Sequence, residues 1–133
     1  MKDVKFRYRI KQSGKITTQI FTLEEIETGA ILDILTLYPT PKILSRDLYI
    51  GRKDKNNREI FGGDVVRWIN KFGDENIGWI RYTEAIAGFY IVLIKGSFQP
   101  FYTGQERNFE WSELEIIGNI YENPEEYEVE QNV

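Results

Sequence analysis

The sequence predicts a mainly β protein in which an N-terminal hairpin precedes a small antiparallel barrel or sandwich, with little helix. The N-terminal segment alternates apolar and basic residues with the two-residue period of a half-buried strand. Farther along, short runs of strand-forming residues recur between glycine, asparagine and aspartate turns. Such spacing is typical of small all-β folds.

The first predicted strand is KFRYRIK, residues 5–11, in which apolar and basic side chains alternate strictly. Its even-numbered residues form an apolar face. The opposite face is basic and carries Lys5, Arg7, Arg9 and Lys11. The turn QSGK and the β-branched run ITTQIFTL follow at once, so we expect a hairpin with a basic stripe on its exposed face.

The next segment fits two descriptions. Its leucines and isoleucines between residues 31 and 37 suit either a short helix or a buried strand, and YPTP then imposes extended or turn geometry. If a domain boundary exists, Pro39 to Pro41 is the favoured place. The predicted organisation is a hairpin with a connector over residues 1–45, a barrel over residues 46–124 and an acidic, flexible tail over residues 125–133.

Six short strands are predicted after residue 47. They are LYIG, EIF, VVRWI, IGWIRY, FYIVLIK and LEIIGNIY. GFYIVLIK is apolar on both faces, as expected of a central strand. KGSFQPFYTGQERN, residues 95–108, follows it as a surface hairpin or a functional loop.

The stretch IGRKDKNNREIFGGDVVRW, residues 50–68, combines charges with turn-forming residues. Asn56 and Asn57 tolerate positive φ and suit a two-residue hairpin turn. A second sharp turn is predicted at Gly62-Gly63-Asp64, with Asp64 accepting hydrogen bonds from backbone N–H groups. Tight turns therefore account for most of this stretch.

Two functional alternatives remain for the same residues. Asp54, Glu59 and Asp64 lie close enough in sequence to suggest an oxygen-ligated metal site. The basic residues of the turn could instead contact phosphates. We favour turns, because acids beside lysines and arginines usually form surface pairs and charged hairpin tips are usually solvated. No metal ion or cofactor is therefore expected.

The 133-residue chain lacks both cysteine and histidine. A disulfide, a thiolate nucleophile, a Ser-His-Asp triad and the commonest transition-metal ligand are thereby excluded. We expect no enzymatic activity, and carboxylate chemistry with Mg²⁺ is the remaining catalytic route. No apolar run is long enough for a membrane span or a signal peptide, so a cytoplasmic protein without membrane contact is expected.

Three segments resemble one protein family. YIGRKDKNNREIFGGDVV, residues 49–66, is similar to a Gly-Leu-Lys-Asp-Lys-Asn-Gly-Lys-Glu-Ile-Tyr-Glu-Gly-Asp-Ile-Val pattern, IIGNIYENPE resembles its closing signature, and KFRYR resembles its Lys-Phe-Arg-Ala-Trp start. On these residues the chain resembles the YopX family of phage and prophage proteins over almost its whole length. It departs from the pattern at Arg52, Asn57 and Gly62. Asn57 retains access to left-handed φ, so the turn should persist.

The resemblance implies an SH3-like barrel in the C-terminal part, in agreement with the strand pattern. It implies no catalytic residues, because the family has no established activity. The residues predicted to shape the start and the end of the barrel are Gly51, Asp54, Asn56, Gly63, Asp64, Gly118, Asn119 and Pro124.

We therefore expect a phage- or prophage-encoded binding or assembly protein of the bacterial cytoplasm, contacting a phage or host protein or further copies of itself. Nucleic-acid binding through the basic first strand and the Arg52 to Arg58 turn is the alternative. Trp68 and Trp79 are predicted to pack in the core. The candidate contact residues are Lys5, Arg7, Arg9, Arg52, Lys53, Arg58, Phe98, Phe101, Tyr102 and Trp111.

Overall fold

The computed structural model describes residues 4–70, 72–85, 87–95 and 111–122. The chain divides into two compact units, Met1–Gly51 and Arg52–Val133. The described residues form eight β-strands, two short α-helices and one 3-10 turn. The predicted mainly β fold with little helix is therefore confirmed. None of the described helices has the length and apolar character needed to cross a membrane.

The first unit is built on a hairpin. Its strands are β1 (Lys5–Gln12), β2 (Lys15–Thr22) and β3 (Lys42–Lys53). Ser13 and Gly14 join β1 to β2 with φ values of 54° and 78°, as in the type I′ turn whose twist matches a hairpin. β3 pairs antiparallel with the other side of β1. Tyr8 and Ile10 are buried on the apolar side of β1, so the predicted hairpin and the apolar face of β1 are confirmed.

Two short helices, α1 (Leu23–Glu27) and α2 (Ala30–Leu35), lie between β2 and β3. α1 begins at a capping box, in which Glu25 N–H donates to Thr22 Oγ1 and Thr22 N–H donates to Glu25 Oε1. Neither helix buries a residue. The helical alternative for residues 31–37 is the one that the fold adopts.

The second unit is an antiparallel β structure of barrel-like character. Its strands are β4 (Glu59–Phe61), β5 (Asp64–Ile69), β6 (Glu75–Thr83), β7 (Gly88–Lys95) and β8 (Glu115–Asn119), and a 3-10 turn at Trp111–Glu113 precedes β8. The two sheets have the strand orders β2-β1-β3-β4 and β7-β6-β5-β8, and β3 runs from the first unit into the second. All six strands predicted after residue 47 are present, although β3 begins earlier, at Lys42, where it pairs with Lys11 of β1.

The apolar core of the second unit is drawn from every one of its strands. Ile60, Val65, Ile80 and Leu114 are fully buried. Trp68 and Trp79 are also buried, which confirms their predicted place in the core. The fold therefore uses these two indoles for packing.

Candidate interaction surfaces

The loop between β3 and β4 has three residues rather than the two predicted. Asp54 N–H donates to Arg58 O at 2.8 Å and Asn57 N–H donates to Asp54 O at 3.0 Å, so the loop is Lys55-Asn56-Asn57. Only Asn57 of the asparagine pair has positive φ, at 64°. This is a β-turn followed by one left-handed residue, a common three-residue hairpin loop. The two-residue turn was wrong because one left-handed residue, not two, closes the hairpin.

The buried carboxylate of Asp54 organises this loop. Its Oδ1 accepts the N–H groups of Asn56 at 2.9 Å and Arg58 at 2.8 Å, and its Oδ2 accepts Ile116 N–H at 3.0 Å. Burial is the largest single influence and raises the pKa of Asp54, but the backbone donors of Ile116, Arg58 and Asn56 together hold that pKa below its usual value of 3.8. Asp54 is therefore an ionised structural acceptor.

The loop of residues 55–57 and the turn at Gly63 both contact residues that flank β8. Lys55 N–H donates to Leu114 O at 2.8 Å, and Ile120 N–H donates to Gly63 O at 3.0 Å. The register of β5 and β8 pairs Asp64 with Asn119 and Val65 with Gly118. The predicted start and end residues that the structure describes in this unit therefore meet in one cluster.

The second predicted turn is confirmed. Gly63 has φ of 90°, a conformation that favours glycine, and Asp64 Oδ2 accepts Phe61 N–H at 2.8 Å. Gly51 also has positive φ, at 83°. With Asp54 and Asp64 committed to backbone donors, no group of three metal-binding side chains occurs in the described part of the chain.

Several basic side chains of the predicted nucleic-acid surface have intramolecular contacts. Arg7 lies directly across the sheet from Asp47, with 3.2 Å between Nη2 and Oδ2, and both side chains are largely buried. Lys5 Nζ lies 5.4 Å from the centroid of the Tyr49 ring. Arg9 also has an interaction partner. The basic residues of β1 and of the end of β3 that remain exposed are Lys11, Arg52 and Lys53. Nucleic-acid binding stays a prediction.

Four of the predicted aromatic or turn positions fall outside the described residues. They are Phe98, Phe101, Tyr102 and Pro124. Trp111 opens the 3-10 turn before β8, and its side chain is not among those described. The predicted contact roles of these residues stay predictions.

Five side chains of alternating charge form a charge ladder across the second sheet. Its members, in spatial order, are Lys55, Glu115, Arg67, Glu75 and Lys95. The shortest contact joins Arg67 Nε to Glu75 Oε2 at 2.7 Å. The ladder crosses β8, β5, β6 and β7, so its salt bridges link these four strands on one face of the sheet.

The charge ladder predicts a shifted titration for Glu75. The hydrogen bonds from Arg67 and then Lys95 lower the pKa of Glu75 below its usual value of 4.5. The stabilisation is therefore present above the unfolded-state pKa and is lost as the pH falls through the lower folded-state pKa. Carboxyl ¹³C NMR should show Glu75 titrating below 4.5, with the shift reduced by high salt and by Arg67→Gln. An unshifted Glu75 would contradict the ladder geometry.

The most exposed apolar side chains of the first unit were missed by sequence reasoning. Leu32 of α2 is 68% exposed and Tyr38 is 95% exposed. The others in this unit between β2 and residue 38 are Ile16, Ile20, Leu23, Leu35 and Leu37. A signal was available in the segment AILDILTLY, which contains a single charged residue. The segment therefore has more apolar surface than a helix of one or two turns can bury on one side.

Comparison with known proteins assigns the chain to a family. The family model described as YopX protein matches residues 5–128. That range includes the hairpin, both helices and all the described strands of the second unit. No curated protein matches the chain.

Proposed function

Since the chain belongs to the YopX family and its first unit exposes leucines that its own fold leaves uncovered, we propose that it is a non-enzymatic binding and assembly module. It is encoded by a phage or prophage and acts in the cytoplasm of the bacterial host. Its partner is a protein surface, either that of a phage or host protein or that of another copy of this chain.

The observation that carries this proposal is the state of α1 and α2. Both helices are far shorter than the length at which isolated helices become stable in water, so they depend on packing for their stability. Neither contains a fully buried residue, and the leucines Leu23, Leu32 and Leu35 are exposed, whereas the isoleucines of the two helices are half-buried. Exposed apolar surface of this kind marks protein interaction sites. A protein partner would supply the packing that the helices lack.

The side chains that could act as acids, bases or nucleophiles support a non-catalytic role. The sequence contains no histidine or cysteine. Asp54 and Asp64 accept backbone hydrogen bonds, and Glu75 and Glu115 accept salt bridges within the charge ladder. These carboxylates are therefore used to hold strands together, which leaves binding as the better supported function.

We predict that charge placed on the exposed leucine surface abolishes partner binding. The variant carries Leu32→Glu and Tyr38→Glu, two changes at exposed positions that should not disturb packing. Immobilised wild-type protein should retain a specific protein from lysate of phage-infected cells. The variant should lose that association by at least about tenfold, because burying an unpaired charge is costly.

The matched control is Ile69→Glu, on β5 of the second unit, where the exposed fraction is 48%. Circular dichroism and thermal melting should show that both variants fold. Association that survives the double change and is lost in Ile69→Glu would contradict the proposal. A strict monomer that retains no protein, or one that retains only nucleic acid in a salt-sensitive manner, would also contradict it.

A further inference from the structure

β2 is an edge strand with unpaired outer backbone groups among the described residues. Its hairpin closes at Gln12 and Lys15 around a two-residue turn, so the odd-numbered residues of β2 bond to β1. Leu23 N–H, which donates to Val4 O at 2.9 Å, continues the same alternation. The N–H and C=O groups of Ile16, Thr18 and Ile20 therefore point away from β1.

This edge lacks the features that keep strand edges apart. Between Ile16 and Thr22 the strand carries no charged residue and no proline. Residues 15–20 are exposed throughout. Ile16 and Ile20 lie on the same side of the strand and are 49% and 48% exposed. An open, uncharged and partly apolar edge is suited to pairing with another strand.

We infer that β2 pairs antiparallel with β2 of a second copy of this chain, about a twofold axis at Thr18. The inference rests on the proposed function and names its partner. Thr18 then lies opposite Thr18 of the second copy, and Ile16 lies opposite Ile20. About six backbone hydrogen bonds form between the copies, two from each opposed pair. The first sheets of the two copies become one continuous sheet.

The register follows from the backbone groups that are available. A twofold axis at Ile20 would place Thr18 opposite Thr22, whose N–H already donates to Glu25 Oε1 at 2.8 Å. A twofold axis at Ile16 would place Thr18 opposite Gly14, which lies in the hairpin turn. Only the axis at Thr18 uses the three outward-facing residues and no group that is already bonded.

The side chains fit the same register. Ile16 and Ile20 face each other across the two strands, and the two Thr18 side chains lie between these pairs. Cross-strand pairs of β-branched residues stabilise antiparallel sheets. Lys15 is the charged residue of β2, and in this register it lies opposite Phe21 of the second copy. No like charges therefore face each other across the two strands. The strand is therefore complementary to itself, as a closed dimer requires.

A single thiol at the axis tests the register directly, because the chain has no cysteine. Opposed residues at a hydrogen-bonded antiparallel position have Cα atoms about 5.5 Å apart, within the range that a disulfide spans. Thr18→Cys should therefore form a covalent dimer under mild oxidation at least about tenfold faster than Ile69→Cys, a control at an exposed position of the second unit.

Thr18→Pro removes an outward N–H and keeps the bonds to β1, since proline is tolerated on the solvent side of an edge strand. Light scattering should show a dimer for the wild type and a monomer for Thr18→Pro, with unchanged circular dichroism. Hydrogen exchange gives a second measurement. The amides of Ile16 and Ile20 should become protected as the protein concentration rises, whereas those of Thr17 and Gln19 should be protected at every concentration.

The outcomes separate this inference from the proposed function. A dimer that persists in Thr18→Pro, or equal crosslinking by the two thiol variants, overturns the β2 pairing and leaves assembly intact. A monomer that still captures a protein through the Leu32 surface also overturns the pairing alone. A monomer that captures nothing overturns both.

Discussion

Replacing Asp54 with alanine is expected to lower the free energy of unfolding by about 3–6 kcal/mol, because three backbone N–H groups would lose a charged acceptor. Ile116 N–H is buried and would have no alternative partner. The change would also remove one of the contacts that hold the loop of residues 55–57 near β8. Chemical denaturation monitored by tryptophan fluorescence measures the loss.

Asp54→Asn separates the charge from the geometry. The asparagine oxygen can still accept from Asn56 and Arg58, but its amide nitrogen would face Ile116 N–H with a second donor. The expected loss is about half that of the alanine variant. Asp33→Ala, at an exposed position of α2, should change stability by less than about 0.5 kcal/mol. Equal stability of Asp54→Ala and Asp33→Ala would show that the carboxylate does not organise the loop.

The same carboxylate sets a pH dependence. Its folded-state pKa lies below the usual 3.8, so its stabilisation is present in full above the unfolded-state value. That stabilisation is lost as the pH falls from about 4 through the folded-state pKa. The difference in unfolding free energy between wild type and Asp54→Ala should therefore shrink in acid.

Gly78→Ala is expected to lower the free energy of unfolding by about 3 kcal/mol or more, because the core has no room for a methyl group there. A Cβ at this position would clash with Ile91 Cγ2 and would lie 2.8 Å from the backbone oxygen of Val92. Ile91 is buried, and the Val92 contact can be relieved only if β7 moves relative to β6. Thermal melting by calorimetry measures the effect.

Two variants test the cause assigned to Gly78. Gly73 has φ of 86° and open space around its Cβ position, so Gly73→Ala should cost only the backbone strain, about 1 kcal/mol. Ile91→Ala combined with Gly78→Ala should destabilise by less than the sum of the single changes, since the smaller side chain removes one clash. A Gly78→Ala protein as stable as the wild type would contradict the close packing of β6 and β7.

Local sequence pattern predicted the elements that depend on local physics. The alternation in KFRYRIK gave the buried face of β1. Gly63 and Asp64 gave the second turn, in which the Asp64 carboxylate accepts a backbone N–H. Asn57 was correctly associated with positive φ. In each case the residue type itself limits the backbone or the burial, so one short segment is informative.

Contacts between distant residues were beyond such reasoning. Asp54 was a candidate metal ligand because it lies close in sequence to Glu59 and Asp64. Its third hydrogen-bond donor, Ile116, is 62 residues away, and no local pattern reveals that contact. Arg7 was assigned to an open basic stripe because the register that opposes it to Asp47 depends on β3. The exposed leucines of α2 were missed because a periodic apolar pattern does not say whether a partner element covers it.

The position of β8 has a consequence for synthesis on the ribosome. β8 pairs with β5, which precedes it by about fifty residues, and it supplies the Ile116 donor that completes the shell of Asp54. The N-terminal hairpin, whose contacts are local, can form while translation continues. The second unit must wait until residue 120 or so has left the exit tunnel, and until then a nascent chain presents β5 with an open edge to chaperones and to neighbouring polysomes.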